Sequence, residues 1–361
     1  MEALLESKAA ALRRARLRAV RERDRSADGQ FVFGVSTTGV YCRPSCPSRR
    51  ARPEHVSFFD DGRGARLAGL RPCLRCRPDE PAGQGLCLCA EVLRTAELRP
   101  RERWGDAQLA RAGFDPVRVR RAFRAEYGRT FQGLWRERRV ALAKAGLEAG
   151  LGPEDAGSRA GFESESGLRA AFESVLARAP SRARGARLLH MARLASPLGP
   201  LTAAATEVGL CLLEFDAREP GASRSDSRLS ELARRFAAAP VLAEVGRFEA
   251  LALQLDQWFR GTRRRFDVPL DLAGTDFELS VWRRLLEIPY GETRSYGELA
   301  RLVDRPRAAR AVGRANARNP IAILVPCHRV VGAAGALTGY AAGLSRKQWL
   351  LEHEQAHSSG G

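Results

Sequence analysis

Lysine is almost absent from this chain: Lys8, Lys144 and Lys347 stand alone among 60 basic residues, so the positive charge is carried by guanidinium groups. A genome that favours arginine codons accounts for the choice of residue. It does not account for the formal net charge of +18, which predicts an acidic polymer as partner. Arginine also forks onto phosphates and stacks on bases, so the bias suits a nucleic-acid surface. An apolar run near the N-terminus is missing too: residues 1–26 mix Glu2, Glu6 and Asp24 with arginines, leaving no signal-peptide core and no membrane span. A cytoplasmic chain with no membrane contact is expected. At 361 residues the chain is too long for one ordinary domain, and two to four are expected.

Without an export signal, disulfides are disfavoured and the cysteines take on another meaning. Cys42-Arg43-Pro44-Ser45-Cys46 is followed by Cys73-Leu74-Arg75-Cys76, two close pairs separated by a long loop. This is the spacing of a four-thiolate zinc site, in which each pair reaches the metal from a tight turn and the loop closes the tetrahedron. The alternative, a pair of disulfides, requires an oxidising compartment. Cys87 and Cys89 begin a helix and Cys211 lies in an apolar strand, where packing rather than metal binding is expected.

Near the other end, residues 321–325 read as an apolar strand stopped by Pro326, after which Cys327, His328 and Arg329 set a thiol, an imidazole and a guanidinium side by side. A free thiol titrates near ~8.5, so a nucleophilic cysteine needs neighbouring positive charge or a base, and His328 and Arg329 offer both. The bland alternative is a buried cysteine ending a strand beside a solvated His-Arg pair. The surroundings weigh against it: Gly291-Glu292-Thr293-Arg294-Ser295-Tyr296-Gly297, Ala309-Arg310-Ala311-Val312-Gly313 and Asn319-Pro320 upstream, Thr338-Gly339-Tyr340 and Trp349–Glu354 downstream. This run resembles the catalytic domain of the O6-alkylguanine-DNA alkyltransferases. The words Gly39-Val40-Tyr41-Cys42-Arg43-Pro44-Ser45-Cys46 and Arg71-Pro72-Cys73-Leu74-Arg75-Cys76 resemble the amino-terminal domain of the Ada methyltransferase-regulators.

The resemblance implies roles. Cys327 would accept the alkyl group, His328 would act on the thiol through a water with Glu354 orienting the imidazole, and Tyr296 would protonate the leaving purine. Asn319 would hold the turn before Pro320, and Arg310 would intercalate from a helix of small residues while the damaged base is extruded. Val325, Gly339 and Tyr340 would line the pocket, and Arg329 and Arg43 would face DNA. Cys42 would be both a zinc ligand, with Cys46, Cys73 and Cys76, and the acceptor of a methyl group from a phosphotriester. From the residues alone the acceptor among the four thiolates stays open, as does a purely structural zinc.

Between the two cysteine sites the chain is patterned as follows. Residues 4–22 read as an amphipathic helix, 31–35 and 56–59 as strands, 65–70 as a helix, and 81–85 as a linker. From 86 to 182 everything reads as helix. Asp115-Pro116 opens a helix whose Val119 and Phe123 face inward and whose Arg118 and Arg121 face outward. A second such turn at 160–164 leads into a helix carrying Leu168 and Phe172. The pair resembles an AraC-type double helix-turn-helix, an ordinary helical bundle being the alternative. Gly152, Pro153, Gly157 and Gly167 weaken the second half, and Glu163 and Glu165 would face phosphates. Strands over 188–216 and helices at 226–237 and 247–260 resemble the ribonuclease-H-like lobe that precedes the alkyltransferase domain.

The expected fold class is therefore multidomain α/β and α: a small zinc module (1–82), an all-α double helix-turn-helix (86–182), a ribonuclease-H-like α/β lobe (186–268), a helical winged-helix-like alkyltransferase domain (272–355) and a disordered tail (356–361). By resemblance the function is single-turnover repair, from O6-alkylguanine and O4-alkylthymine to Cys327 and from methylphosphotriesters to Cys42. Methylation-dependent transcriptional activation would involve alkylated duplex DNA, promoter DNA and RNA polymerase, with the protein acting as a monomer. One rival is a zinc and helix-turn-helix transcription factor whose alkyltransferase-like lobe only senses lesions; its relatives lack the nucleophile that Cys327 supplies. A second, a cysteine hydrolase, leaves Tyr296 and Arg310 unexplained.

Overall fold

The computed structural model describes residues 2–24, 27–46, 48–76, 78–79, 84–215, 224–244 and 246–358. The expected linker therefore lies partly outside the described residues, at 81–83, as do 359–361 of the expected tail. The chain divides into two compact units, one ending at Gln84 and the other beginning at Gly85.

In the first unit a long helix α1 (Glu2–Glu22) precedes strands β1 (Val32–Val35), β2 (Val40–Cys42) and β3 (Val56–Phe59), helix α2 (Gly62–Leu67) and the short strand β4 (Arg71–Pro72). The sheet runs β3-β1-β2-β4, with β1 antiparallel to both neighbours and β2 parallel to β4. That parallel pair sets Cys42, at the end of β2, beside Cys73, just after β4. Leu17 and Val20 of α1 pack on a core of Phe33, Val35, Val56 and the cysteines. The short helix begins earlier than the expected 65–70 because the Asp61 carboxylate accepts the Gly64 N–H (2.8 Å), and it ends before Gly69, whose φ of +79° turns the chain.

The second unit opens with helices α3 (Gln84–Glu97), α4 (Asp106–Arg111), α5 (Pro116–Tyr127), α6 (Phe131–Glu148), α7 (Pro153–Arg159) and α8 (Glu165–Leu176). Asp115 caps α5 through the amides of Val117 and Arg118, with Pro116 at the first helical position. Val119 and Phe123 are buried and Arg118 and Arg121 exposed, as their spacing predicts. Gly167 does not sit in the helix interior: it is in the first turn of α8, where its amide donates to the Ser164 cap, so its cost is smaller than a mid-helix glycine's. Gly157 of α7 is a packing residue, since a Cβ there would lie 3.0 Å from Leu168.

Strands β5 (Arg187–Leu194), β6 (Leu201–Ala205), β7 (Leu210–Phe215) and β8 (Ala238–Leu242) form a sheet in the order β7-β6-β5-β8, with α9 (Arg224–Arg235) before β8 and α10 (Glu249–Phe259) after it. The sequence reading had no β8. Its Pro240 argues against a central strand, and β8 is in fact an edge strand parallel to β5. The strand also joins two cores, because Val241 packs with Leu168 and Phe172 of α8 while Leu242 packs with Phe123 of α5 and Phe131 of α6. Cys211 and Cys89 are buried in apolar clusters, as expected.

The remaining elements are α11 (Asp276–Leu286), β9 (Arg294–Ser295), α12 (Tyr296–Leu302), α13 (Ala309–Ala317), β10 (Val330–Val331), parallel to β9, and α14 (Leu344–Ala356). Residues 321–325 are not the strand expected of them. Ile321 makes one parallel bridge to Leu213 on the edge of β7, and Ile323 then takes a φ of +68°, a costly conformation for a β-branched residue. A 3-10 turn over Cys327–Arg329 follows. The tail is ordered further than expected: Ala356 ends α14, and the rings of His357 and His353 lie 4.5 Å apart.

Gly161, in the turn between α7 and α8, tests the second helix-turn-helix. Its φ is +82°, and a Cβ would lie 2.2 Å from the Pro100 carbonyl oxygen. Gly161→Ala is expected to cost about 2 kcal/mol or more, read as a lower denaturant midpoint for the helical unit. A stability within error of the parent would show that the turn is not built on this contact.

Candidate active site and metal centre

Cys327 is 6 % exposed and His328 and Glu354 are fully buried. Glu354, on α14, organises the turn. One carboxylate oxygen takes the His328 Nε2 at 2.9 Å and the Arg329 Nη2 at 2.9 Å, while the other takes the Arg329 Nε at 2.8 Å and the Gly291 amide at 3.2 Å. Arg329 also donates to the Ile288 carbonyl (2.6 Å). Burial alone would raise the Glu354 pKa, but the hydrogen bonds from His328 and Arg329, together with the Arg329 charge, hold it down to about 2. Burial lowers the His328 pKa and Glu354 only partly offsets it, so the imidazole is neutral at neutral pH. With Nε2 bonded to the carboxylate, Nδ1 is a buried atom with no hydrogen-bond partner among the described residues.

The carbonyl side of the turn is held by two amides. Asn319 Nδ2 donates to the carbonyls of Val325 (2.8 Å) and Ile321 (3.2 Å), while its Oδ1 accepts the Ile321 N–H (3.0 Å). Asn316, on α13, donates to the Cys327 carbonyl (3.1 Å). Tyr296, the first residue of α12, directs its hydroxyl to the carbonyls of Thr338 and Gly339, both at 3.4 Å, and burial raises its pKa. Lys347 is fully buried; its ammonium donates to Val330 O (2.5 Å) and Thr338 O (2.7 Å) and lies 5.9 Å from the Tyr296 ring centroid. Beside Cys327 is a cavity of about 30 Å³, with Asn316, Asn319 and Tyr340 on its polar side and Phe215 and Ala342 on its apolar side. That is room for about one water, so a purine enters only if the wall opens. The segment 340–342 is bounded by Gly339 (φ +47°) and Gly343 (φ +96°).

In the first unit the Sγ atoms of Cys42, Cys46, Cys73 and Cys76 all lie within 4.8 Å of one another, with Cys46 and Cys73 at 4.0 Å. A tetrahedral zinc with Zn–S bonds of about 2.3 Å requires S–S edges of roughly 3.8 Å, so the four sulfurs fit that ion. Hydrogen bonds from Cys42 and then Cys76 hold the Cys46 thiol down at about 2, and the same sharing with Cys46 drives Cys42 up. Sulfurs so crowded call for a dication rather than protons. The Cys42–Cys46 turn is pinned by Asp28, whose carboxylate accepts the Ser45 amide (3.0 Å) and hydroxyl. The Arg43 amide donates to Cys76 Sγ at 3.4 Å. An open cleft beside the thiols is edged by Arg14, Arg18, Arg21, Arg49, Arg50 and Arg75.

Four family models match in succession: the metal binding domain of Ada over 15–79, a helix-turn-helix domain over 109–186, the ribonuclease-like domain of 6-O-methylguanine DNA methyltransferase over 189–272, and its DNA binding domain over 276–356. The bifunctional transcriptional activator/DNA repair enzyme Ada of Escherichia coli is 35 % identical over 94 % of this chain and 95 % of its own. The chain belongs to the Ada family. The regulatory protein ada of Salmonella typhimurium is 37 % identical over 93 % of this chain and 94 % of its own. A methylated-DNA–protein-cysteine methyltransferase of Mycobacterium tuberculosis is 45 % identical over 47 % of this chain and 95 % of its own. As in the family, the chain pairs a zinc-binding cysteine cluster and a helix-turn-helix region with an alkyltransferase-like domain of mixed sheet and helix. Among the described residues no helix is long and apolar enough to cross a membrane.

The structure brings Cys327, His328, Glu354, Asn319, Tyr296, Gly339 and Tyr340 into one region and leaves Arg310 exposed near the start of α13. Two expectations are corrected. Arg329 is 7 % exposed and locked to Glu354, because the 3-10 turn points it inward, so it does not face DNA. Val325 is core rather than cavity wall, contributing its carbonyl to Cys327 N (2.8 Å) and Asn319. Arg43 is half-buried, whereas Arg49 and Arg50 are exposed on the cleft. Gly313 of α13 faces the Tyr296 ring, where a Cβ would lie 3.8 Å from the ring atoms.

Asn316 and Lys347 escaped the sequence reading, though each left a signal. Asn316 follows the buried Val312 by four, which places it on the inner face of α13. Lys347 is one of only three lysines in an arginine-rich chain, and a compact ammonium fits a buried site meeting two carbonyls where a guanidinium fork does not.

Glu354→Gln leaves Arg329 buried without its anion and is expected to cost about 3–5 kcal/mol at pH 7 by chemical denaturation. Glu354 has a depressed pKa, so its stabilisation is complete above the unfolded carboxyl value and lost as the pH falls towards about 2. The variant should therefore lose much of the parent's acid-induced destabilisation between roughly pH 4.5 and 2. For the metal centre, Cys73→Ser is expected to lower zinc content well below one per chain and to unfold the first unit preferentially, measured by elemental analysis and proteolysis. Retention of stoichiometric zinc would remove Cys73 from the ligand set.

Proposed function

We propose that this protein repairs alkylated DNA by two single-turnover transfers and couples one of them to transcription. The observation that carries the reading is the buried Cys327-His328-Glu354 arrangement beside Tyr296 and a closable cavity, in a chain that resembles Ada over nearly its whole length. The modules are proposed to run 1–82, 86–182, 186–268 and 272–355, the third with a ribonuclease-H-like and the fourth with a winged-helix-like fold.

At the second site Arg310, exposed on a short helix, enters the duplex while the O6-alkylguanine, or O4-alkylthymine, is extruded. Cys327 gives its proton through a bridging water to His328 Nδ1, whose basicity is sustained by the carboxylate on Nε2. A bond then forms from Sγ to the alkyl carbon as the bond from that carbon to O6 breaks. Tyr296 supplies the proton that makes the leaving purine neutral. The thioether has no hydrolytic return, so each molecule acts once.

At the first site Cys42, Cys46, Cys73 and Cys76 would hold zinc, which keeps thiolates ionised without a base. Cys42 Sγ takes the methyl group and the phosphotriester becomes an ordinary phosphodiester anion. The arginine-edged cleft supplies complementary charge for that backbone. Methylation also turns one thiolate into a neutral thioether. This lowers the negative charge facing phosphate, so the repaired protein binds DNA more tightly. Promoter contact is assigned mainly to α5, whose exposed face carries Arg118, Arg120, Arg121 and Arg124. The exposed face of α8 carries Glu165 and Glu173 with a single arginine, Arg169. RNA polymerase is the partner that activation would require. We assign a monomer acting in the cytoplasm.

Mass spectrometry of protein incubated with methylated duplex is expected to find two methyl groups per chain, on the peptides containing Cys42 and Cys327. Cys327→Ala should retain zinc and the first methyl and lose the second. Undiminished uptake by Cys327→Ala would overturn the assignment of the nucleophile.

A further inference from the structure

Asn316 does more than hold the turn. Its Nδ2 donates to the Cys327 carbonyl, which fixes the orientation of the amide, because a carbonyl accepts only from a donor. Its Oδ1 then faces away from that bond: a buried acceptor with no hydrogen-bond partner among the described residues, on a side chain that also neighbours the Tyr296 hydroxyl. The residue is 4 % exposed and lines the same cavity as Cys327. Across that cavity the Tyr340 hydroxyl is also buried without a partner among the described residues. Native interiors rarely leave such atoms unpaired without a reason. Here two of them, an acceptor and a hydroxyl, converge beside a nucleophilic sulfur in a space that the 340–342 segment closes.

We infer that Asn316 is a specificity-determining residue, and that its Oδ1 accepts a hydrogen bond from the exocyclic 2-amino group of the alkylated purine. This inference rests on the alkyltransferase reading of Cys327. An acceptor selects for that group, because O6-alkylguanine carries no N1 proton and its only N–H donors on the base are on the 2-amino nitrogen. The Tyr340 hydroxyl is free to meet a ring acceptor of the same base. A base without the amino group leaves Asn316 Oδ1 buried and unpaired in the complex. The penalty of an orphaned buried group then appears in the transfer rate, on the order of ten- to a hundredfold. Thymine has no such amino group, so O4-alkylthymine should suffer the same penalty.

The test compares two duplexes that differ only in that group, one with O6-methylguanine and one with O6-methylhypoxanthine. Full-length protein is used, with the second-order rate of methyl transfer to the Cys327 peptide as readout. The parent is expected to prefer O6-methylguanine by roughly ten- to a hundredfold, and Asn316→Ala to bring the two rates within about threefold of each other. A purely structural role would slow both substrates alike and leave the ratio standing, so the ratio, not the rate, decides. If Asn316→Ala fails to fold by circular dichroism, Asn316→Leu, which keeps the volume and removes both polar atoms, is measured in its place. A preference that survives in the variant, or no preference in the parent, overturns the inference while leaving Cys327 as the acceptor. No methyl group on Cys327 from either duplex overturns the underlying reading as well.

Discussion

A single buried anion sets the geometry of the catalytic turn. Glu354 gathers the His328 ring, the Arg329 fork and the Gly291 amide, so one α14 side chain ties the Cys327–Arg329 turn to the loop that leads into Tyr296. A carboxylate removed from water survives as an anion only with such partners, and here it has a full set. The consequence for chemistry is a fixed tautomer. Because Nε2 is committed to Glu354, Nδ1 is left with its lone pair as the only base the imidazole can offer. Arg329, adjacent to the nucleophile in sequence, serves this arrangement from inside rather than DNA from outside.

The rest of the site is built around the same turn. The edge of β7 takes Ile321, Asn319 bonds across the loop to Val325, and Ile323 adopts a strained positive φ between them. Long-range pairing therefore offsets a conformation that local preference opposes. Lys347 does the equivalent for the opposite wall, joining Val330 to Thr338 beneath Tyr296. In the first unit the same logic operates with sulfur: strands β2 and β4 bring two tight cysteine turns together, and Asp28 secures one of them.

Much of this was legible in the sequence, and the boundary of legibility is physical. The four thiolates could be read because metal ligation imposes spacing, and α5 because its cap, its proline and its 3.6-residue apolar rhythm agree. Residues 321–325 misled because an unbroken apolar run has no period, and the positive φ of Ile323 follows from contacts with distant Leu213 and nearby Asn319. Arg329 misled because its place beside the nucleophile does not say which way it points, and the 3-10 turn carries it inward onto Glu354. Strand β8 was missed because Pro240 is tolerated only at an edge, and which strand is an edge is a property of the whole sheet. Asn316 and Lys347 are polar residues whose value lies in being buried, which the sequence marks only faintly, by helical spacing from Val312 and by a rare lysine.

The central claim is that Glu354 holds His328 as a neutral base with its free nitrogen available to Cys327. Nitrogen-15 NMR of the histidine rings, recorded across pH 5.5–8 in protein with zinc bound and assigned through a His328→Gln variant, tests it directly. The account predicts a His328 ring that titrates below the ordinary imidazole range and is uncharged at pH 7, protonated at Nε2 and bare at Nδ1. An imidazolium at pH 7, or a proton on Nδ1, would contradict it.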